Sequence, residues 1–214
     1  MESIKKEPKS FEMFNRDLDQ KSLLTLKSFD ELSIDTEAMG LIHGRDRLCL
    51  VQICDKNDNV ICVKIQQDQN EAPNLKELME DESTQKIFHF ARFDVAALNI
   101  NLSIKVKNIF CTKIASKIAR TYTPKHGLKD LISELIGYEL DKQSQSSDWG
   151  NLESLTKKQL IYASNDVRFL INAKQKLKMM LKREHRWEIA NDCFKCIPTI
   201  AKLDILKFNN IFEH

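Results

Sequence analysis

Glu31-Leu-Ser-Ile-Asp-Thr-Glu37 alternates polar and apolar side chains and ends on two carboxylates. Residues two apart along a strand face the same way, so this stretch predicts a half-buried strand presenting Asp35 and Glu37 together. Arg47 to Cys54 and Val60 to Gln66 read as two more strands, rich in Val, Ile, Leu and Cys. The polar Asp55-Lys-Asn-Asp-Asn59 between them suits a hairpin connection.

Beyond these three strands the pattern changes to alternation with helices. Pro73 to Glu82 predicts a short helix with Leu75, Leu78 and Met79 on one side. Lys86 to Phe90 reads as a buried strand feeding a helix that holds Asp94, Ala97 and Leu98, and Lys107 to Cys111 as a fifth strand before a helix over Lys113 to Arg120. His126-Gly127 opens an amphipathic helix that Gly137 stops. Asp141 to Asn151 is a polar loop, and Thr156 with Gln159 forms a capping box for a helix running to about Arg186. Trp187 to Lys207 reads as one or two short helices. The fold class is α/β: a mixed five-stranded sheet flanked by helices, with a sixth strand if residues around Phe11 to Phe14 add one. Residues 1–28 form an N-terminal segment and 29–214 one domain.

Bulk properties narrow the field. The 214 residues are 42% hydrophobic and 30% charged, with five Gly and four Pro, as expected of a globular domain. No apolar run approaches the roughly 20 residues of a membrane-crossing helix. The polar start, without a signal-like apolar segment, gives a cytoplasmic expectation, in which the six cysteines stay reduced. Cys193-x-x-Cys196 has no second pair and no His pair, which argues against zinc. Net charge is only +2, too small for a general nucleic-acid glove. The positive charge is nonetheless concentrated: residues 101–130 and 168–186 each carry seven Lys or Arg against one acid. Each run alone reads as a solvated face; together they would frame an anionic substrate.

Candidate chemistry lies in the acids. Asp35 and Glu37 end a strand, Asp94 starts a helix just beyond another, and Tyr162 and Asp166 stand i and i+4 on a capped helix. Singly, D-x-E and Y-x-x-x-D are weak signals. As an ordered set they make an oxygen-rich nest for hard divalent cations, equipment for phosphodiester hydrolysis.

Longer stretches resemble a known family. They are Asp35-Thr-Glu-Ala-Met-Gly-Leu41, Lys86-Ile-Phe-His-Phe-Ala-Arg-Phe-Asp94, Arg120-Thr-Tyr-Thr123, His126-Gly-Leu-Lys-Asp130, Gln145-Ser-Ser-Asp-Trp-Gly150 and Tyr162-Ala-Ser-Asn-Asp166. From about residue 29 onward the chain resembles the ribonuclease D-like 3′→5′ exonucleases with four acids and a Tyr, most closely the nano-RNase C type that degrades dinucleotides. The resemblance implies a ribonuclease H-like exonuclease fold. It also implies two Mg²⁺ or Mn²⁺ ions held by Asp35, Glu37, Asp94 and Asp166, a water-orienting Tyr162, nucleoside 5′-monophosphate products and a homo-oligomer, a ring of eight. The chain departs at Ala38, where the family usually has Thr, a position that does not bind metal. Phe90 departs from the Asn of the broad pattern but matches the nano-RNase C type. Ribonuclease D carries helical domains after its nuclease, and too few residues follow Asp166 to form them, which favours short substrates.

Substrate contacts are expected from Met39, Gly40 and Leu41, with Leu41 either a wedge between bases or ordinary core. His89 is either a site residue or a core histidine beside Phe90. Gln145, Ser146, Ser147 and Trp149 suit phosphate, ribose and stacking contacts, or else a turn anchored by Trp149. Lys125 and His126 are candidates to cap a 5′-phosphate and so measure length. A general trimmer of longer RNA or single-stranded DNA is the alternative function. A nuclease-fold binding module without catalysis is disfavoured by the presence of all five site residues.

Overall fold

The computed structural model describes residues 7–140, 148–208 and 211. Six strands form one sheet: β1 (Ser10–Asn15), β2 (Glu31–Ala38), β3 (Leu48–Cys54), β4 (Asn59–Lys64), β5 (Gln85–Phe88) and β6 (Ile109–Cys111), in the order β1-β4-β3-β2-β5-β6. β2, β3 and β4 are antiparallel neighbours; β1 runs parallel to β4, β5 to β2, and β6 to β5. The sixth strand is thus β1, part of the 1–28 segment, which closes the sheet edge beside β4.

Local chemistry explains these elements. Every residue of β3 is buried, as expected of a central strand covered on both faces. The β3–β4 turn is held by the Asp55 carboxylate, which accepts from the backbone N–H of Asn57 and Asn59 at 2.8 and 3.0 Å. Among the described residues eight α-helices pack around the sheet: α1 (Gln20–Lys27), α2 (Pro73–Glu80), α3 (Ala91–Leu102), α4 (Thr112–Ala119), α5 (Leu128–Ile136), α6 (Lys157–Arg168), α7 (Leu170–Arg183) and α8 (Trp187–Ile205). Pro73 starts α2, and Gly137, at φ +76°, ends α5.

The structure corrects three expectations. The helix expected to reach Arg186 is two helices, α6 and α7, separated at Phe169, whose ring packs against Tyr138 with centroids 4.6 Å apart. Residues 187–205 form a single helix of 19 residues that continues past Pro198 and packs Phe194 on Phe110 of β6. Strand β5 stops at Phe88; Phe90 has left it, with φ +68°, a left-handed conformation unusual for a bulky residue.

Two apolar cores result. The larger surrounds Ile34, Val51, Ile53, Phe88 and Phe110 with α1, α2, α3, α7 and α8. A smaller one lies beneath α6, where Leu50, Cys54, Val60 and Cys62 meet Trp149, Leu152, Ala163 and Val167. Cys193 and Cys196 both sit on α8, which matches their helical reading. No helix among the described residues is long and apolar enough to cross a membrane.

Candidate active site

Three elements converge at the end of β2. Asp35 and Glu37 project from one face of that strand, and the register shifts between Glu37 and Ala38, which pair with Leu50 and Leu48. Such a bulge re-aims the strand's last side chains. Asp94 stands in the first turn of α3, where exposed backbone N–H groups favour a carboxylate. Thr36 donates to Asp94 Oδ1 at 2.7 Å and ties α3 to β2. On α6, Thr156 accepts from the Gln159 backbone N–H while Gln159 caps back, and this box sets the phase that puts Tyr162 and Asp166 on one face. The Tyr162 phenol lies beside Asp166 and partly offsets the effect of burial on that carboxyl.

Asp35, Glu37 and Asp166 each offer an oxygen, and these oxygens lie within 4.8 Å of one another. Their proton affinities record the crowding. Burial, followed by the charges of Asp94, Asp166 and Glu37, pushes Asp35 well above the usual carboxylate range. Burial, with Asp166 and Asp94, raises Glu37 to about 9. Burial takes both Asp94 and Asp166 to about 7. Tyr162 is pushed up by burial and by the acids around it, so it keeps its proton and serves as a donor.

Carboxylates this close are destabilised in their charged forms unless positive charge sits among them. All the donors are hard oxygens, with no Cys or His in the set, which fits Mg²⁺-like cations rather than zinc.

The acids line a cleft of about 680 Å³. Met39, Gly40, Leu41, His89, Phe90 and Trp149 line it too, as do Thr36, Phe93, Lys113, Leu128, Lys129 and Asp130, which sequence reasoning did not single out. Lys125 and His126 do not line the cleft: the Lys125 carbonyl accepts from Arg120, and His126 is bonded to Ser116. Gln145, Ser146 and Ser147 lie outside the described residues. Leu41 is 81% exposed, so it is not core. Its loop depends on Gly40, where any Cβ would come within 2.3 Å of Asp46 Oδ2. That carboxylate is engaged by Arg45 and by the Ile42 N–H. His89 is half-buried and bonded through Nδ1 to Thr112. Trp149 is 2% exposed, with its ring 6.3 Å from that of Tyr162.

Comparison with known proteins matches residues 11–182 to the family described as 3′-5′ exonuclease. The chain belongs to this family. The exonuclease is 42% identical to Brucella melitensis NrnC bound to pGG, over 96% of this chain and 98% of that one, with a TM-score of 0.90. Against the same Brucella protein with bound Mg²⁺ the identity is 40%, covering 96% of this chain and 99% of that one, and the TM-score is 0.89. A ribonuclease D of Bartonella henselae is 30% identical over 171 residues, 80% of this chain. The chain spans 41% of that relative's length. The exonuclease therefore has the ribonuclease H-like α/β fold, of the ribonuclease D-like, NrnC-like kind.

Proposed function

We propose that this exonuclease hydrolyses very short RNA, dinucleotides above all, from the 3′ end and releases nucleoside 5′-monophosphates. The observation that carries this reading is the cleft: it is lined by four acids and Tyr162 and also by Lys113, whose ammonium lies 4.1 Å from the centre of the Phe90 ring. A substrate with a scissile phosphate for the acid site and one further phosphate for Lys113 suits such a cleft. Likeness over nearly whole chains to a Brucella NrnC that binds pGG supports the same substrate class.

Asp35, Glu37, Asp94 and Asp166 would hold one or two divalent cations, Mg²⁺ or Mn²⁺. When bound, these supply the Lewis acidity that phosphodiester hydrolysis needs. The chain's own side chains do the rest. Protonated Tyr162 aims its hydroxyl at the reacting group and remains a donor throughout. Leu41, exposed at the cleft, gives a base an apolar surface, and Phe90 offers a ring on which to stack. Lys113 makes no ion pair with a carboxylate among the described residues and is free to meet a phosphate. Self-assembly into a ring of eight belongs to this reading; exposed Ile189, Leu206 and Phe208 on and just beyond α8 offer apolar surface for it.

The test is a cation-dependent time course on 5′-labelled RNAs of two, three and seven nucleotides, with Asp35→Ala as control. Rapid loss of the dinucleotide alone is expected. Stepwise shortening of all three at similar rates would make the protein a general 3′ trimmer, and degradation of single-stranded DNA at equal rate would remove the RNA preference.

A further inference from the structure

Gln52 is fully enclosed, and among the described residues neither its Nε2 nor its Oε1 has a hydrogen-bond partner. It occupies the middle of β3, in register with Asp35 on β2 and with Cys62 on β4. Cross-strand partners project to the same face with Cβ atoms about 5 Å apart. That face is the one α6 covers, and the cluster around Gln52 there is apolar: Leu50, Cys54, Cys62, Ala163 and Val167. Ser33, two residues before Asp35 on the same face, also leaves its hydroxyl without a partner.

An amide sealed in such surroundings with both ends unsatisfied is destabilising, and an apolar side chain of the same shape would suit the fold better. Groups of this kind persist where a site uses them. The polar side chain in register beside it is a candidate cation ligand, and a ligating carboxylate needs its other oxygen held. Among the described residues no side chain donates to the Asp35 carboxylate, and only the neighbouring Thr36 backbone N–H counters the rise in its proton affinity.

We propose that Gln52 is a positioning residue for Asp35: when cations draw one Asp35 oxygen toward Glu37 and Asp166, the Gln52 Nε2, without a partner in the metal-free protein, donates to the other oxygen and fixes that rotamer. The assignment rests on reading those acids as a cation site.

Thermal unfolding of the metal-free protein and its titration with Mn²⁺ test this without reference to activity. In Gln52→Met, close to isosteric and apolar, the metal-free melting temperature is expected to hold or rise. The Mn²⁺ concentration needed for half the stabilising shift is expected to rise about 10- to 100-fold, the usual effect of losing a partner behind a metal ligand. Gln52→Asn, which keeps an amide but withdraws it by one methylene, should weaken the Mn²⁺ response in the same direction even if Gln52→Met does not fold. Cys62→Val, on the same face, should leave the response unchanged. A Gln52→Met protein that melts lower yet responds to Mn²⁺ like wild type would make the amide purely structural and overturn the proposal alone. No Mn²⁺ response in the wild type would overturn the cation site itself, and the role of Gln52 with it.

Discussion

Thr36 Oγ1 donates to Asp94 Oδ1 at 2.7 Å, so the residue between the two acids of β2 holds the acid of α3 in place. Thr36 alternates to the opposite face from Asp35 and Glu37, which lets one strand end organise carboxylates on both sides of it. The bond is buried and reaches across 58 residues of sequence.

Thr36→Val keeps the shape and removes the donor. Leaving Asp94 without this partner should cost about 1–3 kcal/mol in stability. It should also weaken apparent cation affinity by roughly 10-fold. Urea unfolding and a cation titration of activity check both, and an unchanged titration would show that α3 holds Asp94 unaided.

Asp166→Asn should abolish turnover while raising the melting temperature of the metal-free protein above neutral pH. Asp166 is buried, its carboxyl titrates near 7, and its charge raises the proton affinity of both Asp35 and Glu37. Removing it relieves repulsion but deletes a ligand. Melting curves beside a dinucleotide assay decide the matter; retained turnover at equal cation concentration would exclude Asp166 from the site.

Most of this site was legible because its geometry is local. D-x-E on an alternating strand, and Tyr162 with Asp166 after the Thr156–Gln159 box, are short-range patterns whose spacing fixes a shared face. What escaped depends on distant contacts. The break at Phe169 has no Gly or Pro to announce it and coincides with packing on Tyr138, 31 positions earlier in the chain. Lys113 looked like one more charge in a basic run, and only the placement of α4 after β6 brings it to the cleft. Arg120 likewise read as a surface charge, yet it is fully buried, bonded to Ser116, Glu134 and the Lys125 carbonyl. Even the orphaned amide of Gln52 sits in a strand that reads, by pattern, as plain core.

The metal-free protein should lose stability as pH rises. Glu37 keeps its proton to about 9, and Asp94 and Asp166 to about 7. In the unfolded chain carboxyls titrate near about 4. Between those limits the folded chain binds more protons than the unfolded one, so unfolding becomes easier with each step upward in pH. The stabilising shift produced by Mg²⁺ or Mn²⁺ should grow over the same window. Melts in chelator and in excess cation, taken across the range, test this; a flat metal-free profile would mean that the acids are not mutually strained.

Leu41→Ala should weaken substrate binding without altering stability. The side chain is 81% exposed, so its loss removes no core packing. If it covers a base in the complex, burial of its apolar surface is worth about 1–2 kcal/mol, or a KM increase of roughly 10-fold. An unchanged KM would leave Leu41 outside the substrate's reach.

Lys113→Ala tests where length is measured. Sequence reasoning placed a 5′-phosphate cap at Lys125 and His126, yet the cleft is lined by Lys113 and Lys129 instead. If Lys113 meets the terminal phosphate of a 5′-phosphorylated dinucleotide, its loss should raise KM for that substrate by about 10-fold, the worth of one charged hydrogen bond. A heptamer would carry its 5′-phosphate well past this point and should be little affected, so the dinucleotide-to-heptamer rate ratio falls. Lys125→Ala, beyond the cleft, should leave that ratio unchanged. Equal losses on both RNAs in Lys113→Ala would mean that the ammonium grips an internal phosphate, and a fall in the ratio for Lys125→Ala alone would return the cap to the loop before α5.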